Sequence, residues 1–325
     1  MEGIKYEIME DTPFHFQNIT EKPPIINSNE QSTTNKNDNS INNIELRDFE
    51  MKIKKYVDNN KLKVYILTPC YNGSCNIDYV NCLLNTFKIF KQFNIDITVE
   101  FCKNDSLVPR ARNNLVAKAM ADKEMTHIIF IDSDISWDPL SILKLLIADK
   151  HIIGGVYPLK HYCWDKLIKD QLNPYNSNIV NSWIEHKKST QLKDSIPDEL
   201  YVQNKLLLYN VNYLDNYLNI DNNIAKVKHT ATGFMMIKRS VFENMFKAFP
   251  STKYVDDVHF LQQHENEYAY AIFDCGVEEG HYFSEDWMFC HRWQKLGGEV
   301  FIDVSINLNH SGIEEFKGSY VTSLI

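Results

Sequence analysis

A run of four consecutive apolar residues that ends in two closely spaced carboxylates constrains the fold more than any other feature. Residues 128–131 (IIFI) predict a strand that is covered on both faces, because a half-exposed strand alternates with polar residues. Asp132 and Asp134 follow, and side chains at i and i+2 of an extended chain point the same way. Two like charges held this close repel each other, so a positive group must lie near them. A divalent cation is the simplest such group.

Strand and helix patterns alternate around this run, which is typical of a parallel, doubly wound α/β sheet with helices on both faces. Asp138 and Pro139 form a good N-cap and first-turn pair for a helix. The predicted elements are strand 64–67, loop 69–73, helix 77–93, strand 95–105, helix 108–122, strand 126–134, helix 139–149 and strand 151–158.

The second half of the chain begins with a segment that lacks periodicity. Residues 160–225 predict an insertion of short elements that is a candidate for substrate contacts. Regular patterns then return, with Ser284 at the cap of a late helix and Gly297 at its end. The predicted elements are strand 227–239, helix 240–249, strand 269–276, helix 284–297 and strand 299–310.

The N-terminal region has a different composition. Residues 23–43 are polar and asparagine-rich, which predicts a flexible linker. Tyr6, Phe14 and Phe16 suggest that the arm before this linker packs against the rest of the protein. We therefore divide the chain into an N-terminal arm and linker, residues 1–44, and one α/β domain, residues 45–325.

Composition excludes several classes of protein. A formal net charge of −9 disfavours a nucleic-acid partner, which requires a basic face. The seven scattered cysteines predict reduced core residues and no disulfide framework. No run approaches the roughly 18 apolar residues of a membrane span, and the acidic N-terminus does not resemble a secretory signal. We expect a cytoplasmic protein without a transmembrane segment.

Several sequence runs resemble one enzyme family. ARNNLVAKAM, IDSDISWDP, IIGGVYPLK, ATGFMMIKR and SEDWMFCHRWQKLGG, with TPCYN after the first strand, resemble the GT-A fold glycosyltransferases. The resemblance covers residues 62–312 and is nearest to small family 2-like enzymes encoded by phages and giant viruses. It implies a Rossmann-like, mostly parallel sheet flanked by helices, and transfer of a sugar from a nucleotide-diphosphate donor to a glycan or other hydroxyl acceptor. A UDP-sugar is the first choice of donor.

The metal site that the resemblance implies uses the paired carboxylates. Mg²⁺ and Mn²⁺ take one or two protein carboxylates and complete their shell with water and substrate phosphates. The family places the metal on an Asp-x-Asp motif and often adds a late histidine, which assigns Mn²⁺ or Mg²⁺ to Asp132, Asp134 and His310. His281 is the competing histidine. Alternatively, Asp134 caps a turn, Asp132 is solvated, and His310 is structural.

A second acidic pair, Glu285 and Asp286, opens a predicted helix. Unpaired N–H groups and the helix dipole stabilise carboxylates in a first turn by ~0.3–1 kcal/mol. An inverting transferase needs an ionised carboxylate as a general base for the acceptor hydroxyl. The resemblance gives this role to the second acid of the pair, so we predict Asp286 as the base, with Glu285 as the fallback, and inversion at C1. The alternative is that both are ordinary helix-start residues.

Further residues are candidates for binding the donor. The resemblance places the nucleoside near Thr68, Pro69 and Tyr71. Arginine suits paired phosphate oxygens, and two arginines open the second helix, although one of them can be an ordinary surface residue. Glycines after the fourth strand allow either close approach of a ligand or tight strand packing, and the methionines of ATGFMMIKR are core candidates. The full set predicted to bind the donor is Thr68, Pro69, Tyr71, Arg110, Arg112, Asp132 and Ser133.

Two rival functions fit parts of the same pattern. A sugar nucleotidyltransferase shares the α/β layout and the metal, but it normally carries a glycine- and arginine-rich phosphate loop after the first strand, and TPCYNGS is not such a loop. The other rival is a non-catalytic protein that binds nucleotide sugars with the same fold.

Overall fold

The computed structural model of this chain describes residues 4–7, 38–164, 166, 179–188, 196–312 and 314–324. The helices are α1 Asp38–Asn59, α2 Ile77–Gln92, α3 Val108–Ala121, α4 Pro139–Ile147, α5 Ile179–Lys188, α6 Asp198–Leu206, α7 Arg239–Ala248, α8 Glu285–Lys295 and α9 Tyr320–Leu324. Short 3-10 helices span Pro250–Thr252 and Glu265–Tyr268.

The strands of the first half are β1 Ile4–Glu7, β2 Lys63–Cys70, β3 Asp96–Lys103, β4 His127–Ile131, β5 Ile135–Trp137, β6 Ile152–Gly154 and β7 Pro158–Tyr162. Those of the second half are β8 Leu207–Tyr209, β9 Val211–Asn212, β10 Tyr217–Asp221, β11 Ile224–Val227, β12 His229–Thr230, β13 Phe234–Lys238, β14 Gly276–Glu278, β15 His281–Phe283, β16 Val300–Asp303, β17 Leu308–His310 and β18 Phe316–Gly318.

A mixed sheet of nine strands forms the centre, in the order β1-β10-β11-β16-β6-β13-β4-β2-β3. The pairings β3-β2, β2-β4 and β16-β6 are parallel. Strand β13 runs antiparallel to both of its neighbours, β4 and β6. Following the pairings across the sheet, six of the nine strands point in one direction, so the sheet is mostly parallel, as predicted, with an antiparallel strand in its middle.

Strand β4 is buried on both faces, which confirms the prediction from its unbroken apolar run. All four residues 128–131 have 0% of their surface exposed. Ile128 and Phe130 pack with side chains of α3, α7 and α8 on one face of the sheet. Ile129 and Ile131 pack with side chains of α1, α2 and α4 on the other. Each fully buried side chain of this size contributes roughly 1.5–3 kcal/mol, so both layers of helices are held to this strand.

Smaller sheets extend beyond the carboxyl ends of the central strands. The strand β5, which follows β4 after three residues, pairs with β17, and β17 pairs with β18. Strand β7, which follows β6, pairs with β8. Residues 132–134 therefore lie in the short connection between the main sheet and a second sheet. Asp138 caps α4 as predicted, because its side chain accepts a hydrogen bond from the amide of Leu140.

Three predicted strands are wrong in whole or in part. Residues 269–275 contain only an isolated bridge, between Tyr270 and Lys253, and strand structure starts at Gly276. The predicted strand 299–310 divides into β16 and β17 in different sheets. The division follows Asp303, whose carboxylate accepts a hydrogen bond from the amide of Ser305 and turns the chain. The predicted strand 227–239 likewise divides, into β12 and β13.

The N-terminal prediction is only partly within the described residues. Residues 8–37, which hold Phe14, Phe16 and most of the predicted linker, lie outside them. Helix α1 begins at residue 38, so the regular structure starts before the predicted boundary at residue 45. Strand β1, which contains Tyr6, pairs antiparallel with β10. The described parts of the predicted insertion contain only short helices and strands.

All seven cysteines are free thiols. Among the described residues, no helix combines the length and the apolar character that crossing a membrane requires.

Candidate functional site

The turn after β4 is fixed by hydrogen bonds from three other segments. The amide of Asp132 donates to the carbonyl of Gly233, just before β13, over 3.1 Å. The amide of Asn76, at the start of α2, donates to the carbonyl of Ser133 over 2.8 Å. The amide of Ser311, just after β17, donates to the carbonyl of Asp134 over 2.8 Å. These bonds hold the two carboxylates at the carboxyl end of a central strand, where α/β sheets commonly bind ligands.

Arg112 connects the two acidic motifs. Its side chain is only 4% exposed and donates to Oδ1 of Asp132 over 3.0 Å and to Oε1 of Glu285 over 3.3 Å. Its Nη1 atom is buried and has no hydrogen-bond partner among the described residues. The guanidinium lies 5.2 Å from the ring centre of Phe130. One buried cation thus joins the turn after β4 to the first turn of α8.

Asp134 interacts with two basic side chains through one oxygen. Nζ of Lys160 lies 2.5 Å from Oδ2, and Nε2 of His310 lies 3.5 Å from the same atom. Burial acts to raise the pKa of Asp134, but the hydrogen bonds from His310 and Lys160 outweigh it and lower the pKa to about 2. Asp134 is therefore an ionised carboxylate at neutral pH.

The ring of His310 is oriented by the backbone. Its Nδ1 atom lies 2.8 Å from the carbonyl oxygen of Pro158. A carbonyl oxygen only accepts, so Nδ1 carries a proton and Nε2 is directed toward Asp134. Histidine ligands of metals usually have this arrangement, with the second ring nitrogen donating to a carbonyl or carboxylate. His281, the competing candidate, is exposed in β15 and lies opposite Glu278.

The donor set of Asp134 and His310 fits a divalent cation, because carboxylate oxygen and imidazole nitrogen both suit Mn²⁺. Within the part of the chain that the structure describes, no group of three or more His, Cys, Asp or Glu side chains is placed to hold a metal ion. A cation at this position therefore needs water and substrate oxygens to complete its shell, as Mg²⁺ and Mn²⁺ commonly do.

Basic side chains already supply the positive charge that the paired carboxylates require. Arg112 lies against Asp132, and Lys160 lies against Asp134. Repulsion between the carboxylates of Asp132 and Asp134 is therefore no evidence for a metal ion by itself. Support for a metal ion comes instead from the donor set and the ring orientation of His310.

Asp286 is buried in the first turn of α8, with 9% of its surface exposed. The hydroxyl of Ser284 and the amide of Trp287 both donate to its Oδ1 atom. Neither bond involves Oδ2, which leaves that oxygen available to a ligand. Burial raises the pKa of Asp286, and the neighbouring Glu285 adds to the effect, while the bond from Ser284 and the charge of Arg112 oppose it. A carboxylate with a raised pKa is suited to accept a proton.

Tyr157 is buried beside His310, and sequence reasoning did not select it. Burial raises the pKa of Tyr157, and the negative charges of Asp132 and Asp286 raise it further. Its ring packs edge-on against His310 with 5.2 Å between centres. A β-carbon at Gly233 would lie 2.6 Å from its ring, so the absent side chain makes room for this tyrosine. The run IIGGVYPLK, which also contains Lys160, was the available signal.

The residues predicted to contact the nucleoside have different environments. Thr68 is fully buried and its hydroxyl is 2.5 Å from that of Tyr79, so its side chain is used in packing. Pro69 is half-buried at the end of β2. Tyr71 is 73% exposed in the turn that follows. The bond between Asn76 and Ser133 holds the end of this loop against the turn after β4. Only Tyr71 presents a free ring.

The two predicted arginines also differ. Arg110 forms a bidentate pair with Asp105, through distances of 2.9 Å and 2.7 Å, and this pair stabilises the start of α3. Only Arg112 reaches the carboxylates.

The glycines and methionines have packing roles. A β-carbon at Gly154 would meet the carbonyl oxygen of Phe234 at 2.8 Å, and one at Gly155 would meet Ile306 at 2.9 Å. These contacts support the strand-packing interpretation. Met235 and Met236 are buried in the core, as predicted.

A separate cleft of about 530 Å³ lies between the end of α2 and β3, away from the carboxylates. It is lined by Phe87, Lys88, Lys91, Asn94, Ile95, Asp96 and Ile97, and none of these residues belongs to the predicted site.

The chain was compared with protein families, with curated proteins and with solved structures. No protein-family model matches the chain, and no curated protein matches its sequence. Among solved structures, the chain is similar to that titled "Crystal Structure of A197 from STIV", with 13% identity over 77% of this chain and 86% of that one and a TM-score of 0.40.

Proposed function

We propose that this protein is a metal-dependent GT-A glycosyltransferase that moves a sugar from a nucleotide-diphosphate donor, a UDP-sugar by first choice, to a hydroxyl acceptor with inversion. The observation that carries the proposal is the joint pairing of Arg112 with Asp132 and Glu285, which brings the two acidic motifs together at the carboxyl end of β4. One motif is suited to hold the donor, and the other provides a base. A mostly parallel sheet flanked by helices is compatible with this fold.

Asp134 and His310 would hold the Mn²⁺ or Mg²⁺ ion. The ion supplies positive charge that stabilises the departing diphosphate. Asp134 suits this role because its carboxylate stays ionised, and His310 suits it because its Nε2 atom is directed at that carboxylate. Asp132 would lie beside the ion at the same end of β4, with its Oδ1 atom bound by Arg112.

Asp286 would act as the general base. Its Oδ1 is held by Ser284 and Trp287, and Oδ2 is left to accept the proton of the acceptor hydroxyl. The deprotonated oxygen forms a bond to C1 of the sugar as the bond from C1 to the diphosphate breaks on the opposite face. Burial adds to the basicity of the carboxylate, and it keeps water away from it. Glu285 is engaged by Arg112, so it positions the arginine.

The experiment is a panel of nucleotide sugars assayed for hydrolysis and for transfer to simple glycosides, with and without Mn²⁺. We expect at least one UDP-sugar to be turned over only when Mn²⁺ is present, and Asp134→Ala to lose both donor binding and turnover. The anomeric configuration of the product, measured by NMR, tests inversion. Donor binding without turnover by the wild-type protein would instead favour a binding protein, and synthesis of a nucleotide sugar from a nucleoside triphosphate would favour a nucleotidyltransferase.

A further inference from the structure

Lys160 occupies the side of Asp134 that a metal ion would use. Its ammonium lies 2.5 Å from Oδ2 of Asp134, the same oxygen that Nε2 of His310 approaches at 3.5 Å. Three separate segments, the turn after β4, strand β7 and strand β17, therefore converge on one carboxylate oxygen.

The stem of Lys160 has a contact of its own, apart from the ion pair of its ammonium group. A β-carbon at Gly312 would lie 3.0 Å from Cδ of Lys160, so the stem runs across this glycine. The Lys160 and Asp134 side chains are 34% and 37% exposed, and an ion pair this accessible to water contributes only ~0–1 kcal/mol. The ammonium can therefore leave Asp134 at little cost while its stem stays in place.

A divalent cation and the ammonium cannot both bind Oδ2 favourably. A Mg²⁺ ion lies about 2.0–2.1 Å from its oxygen ligands, which would place it within a few ångström of Nζ. Like charges at such a separation repel strongly where water is partly excluded. The metal ion and the ammonium therefore compete for Oδ2 of Asp134.

We propose that Lys160 is the resident counter-ion of Asp134, that a divalent cation displaces it, and that the displaced ammonium binds the diphosphate of the donor. This inference rests on the proposed function and adds to it a further donor-binding residue. It predicts that the lysine opposes metal binding in the absence of donor and favours donor binding once the metal is present.

The test measures Mn²⁺ binding by electron paramagnetic resonance, without nucleotide, in the wild type and in Lys160→Met. Methionine keeps an unbranched stem over Gly312 and removes the charge. We expect Mn²⁺ affinity to rise by up to about fivefold in Lys160→Met, the equivalent of a weak ion pair. The affinity for UDP in saturating Mn²⁺, measured by calorimetry, should instead fall about tenfold, as expected for the loss of a charge-assisted hydrogen bond.

Two variants serve as controls. Lys160→Arg retains the positive charge and should bind Mn²⁺ no more tightly than the wild type. Lys226→Met removes the lysine of another ion pair, which Lys226 in β11 forms with Glu299, the residue before β16. This change should leave the affinities for Mn²⁺ and for UDP unchanged. A purely structural role for Lys160 would weaken metal binding on substitution, so the opposite direction of the expected change separates the two roles.

Equal or weaker Mn²⁺ affinity in Lys160→Met would overturn the inference while leaving a metal-dependent transferase in place. Unchanged UDP affinity in that variant would overturn the second half of it, the transfer of the ammonium to the diphosphate. If the wild type and Lys160→Met both fail to bind Mn²⁺, with and without UDP, the inference falls together with the metal ion of the proposed function. The two outcomes can be told apart, because equal Mn²⁺ affinities are measurable in both proteins, whereas in the second case neither protein binds the ion.

Discussion

Glu285 follows Arg112 by 173 positions in the chain, yet its carboxylate accepts a hydrogen bond from Nε of that arginine over 3.3 Å. Through its Nη2 atom the same guanidinium also donates to Asp132. Glu285 is thus committed to an ion pair, whereas Asp286 keeps an available oxygen. The pairing favours Asp286 over Glu285 as the base and makes Arg112 the residue on which the geometry of the site depends.

Replacing Arg112 with glutamine should destabilise the protein by about 3 kcal/mol, because the loss of the buried guanidinium leaves the partly buried carboxylates of Asp132 and Glu285 uncompensated. Urea unfolding measures this change. Lys226→Gln is the control: its ion pair with Glu299 leaves both side chains about half exposed, and a loss below about 1 kcal/mol is expected. Similar losses in the two variants would contradict a special role for Arg112.

Asp286→Asn should reduce turnover by about 10²–10⁴-fold, the usual contribution of a general base, and leave donor affinity within twofold of the wild type. Steady-state transfer rates and calorimetric UDP titrations supply the two measurements. Asp257→Asn changes an exposed carboxylate and serves as the control. If Glu285→Gln retained its fold and lost turnover while Asp286→Asn remained active, the roles of the two acids would have to be exchanged.

The same Asp286→Asn variant should be more heat-stable than the wild type at neutral pH, because it buries no ionised carboxylate. The pKa of Asp286 is raised in the folded protein, so folding favours the protonated form, and wild-type stability falls as pH rises through that pKa. Asparagine is neutral at every pH. The advantage should therefore disappear as pH approaches the ordinary value of 3.8, and calorimetric melting curves between pH 4 and 8 test this.

His310→Ala should weaken Mn²⁺ binding by at least about tenfold, since the loss of even a hydrogen-bond partner of a metal ligand costs about 10–100-fold. His281→Ala removes an exposed histidine of β15 and should leave the affinity unchanged. Both can be measured by electron paramagnetic resonance. Equal affinities in the two variants would show that His310 is structural.

Tyr71→Ala should lower the affinity for UDP by about 1–3 kcal/mol, the usual contribution of stacking between a base and an aromatic ring. Because 73% of Tyr71 is exposed, the melting temperature should not change. Tyr282→Ala, at a ring that is 68% exposed on the β14–β15 hairpin, is the control. A loss of stability without a loss of affinity would indicate that Tyr71 packs against the fold.

Local patterns predicted the doubly buried strand β4 and the helices α2, α3 and α8. They failed where side chains, and not a neighbouring strand, form the hydrogen bonds to the backbone of an extended segment. The apolar segment 269–275 is held by Asn113, which bonds both backbone groups of Phe273, and by Arg292, which donates to the carbonyls of Ala271 and Ile272. Such contacts join positions far apart in the chain, so the segment alone cannot reveal them.

The candidate site also depends on contacts between residues far apart in the chain, and these could not be predicted from local patterns. The acidic residues could be selected from their positions at the ends of predicted elements. The run IIGGVYPLK contains Tyr157 and Lys160, but nothing in it separates these two residues from their neighbours. Their positions at the site depend on the return of β17 with His310. The direction of β13 was also out of reach, since periodicity carries no information on strand polarity.

The contact between Gly233 and Tyr157 limits which residues position 233 can carry. The carbonyl of Gly233 accepts a hydrogen bond from the amide of Asp132, and a β-carbon at this glycine would lie 2.6 Å from the tyrosine ring. Any larger residue at position 233 would press on that ring. An engineer can therefore enlarge position 233 only after the ring of Tyr157 has been replaced by a smaller side chain.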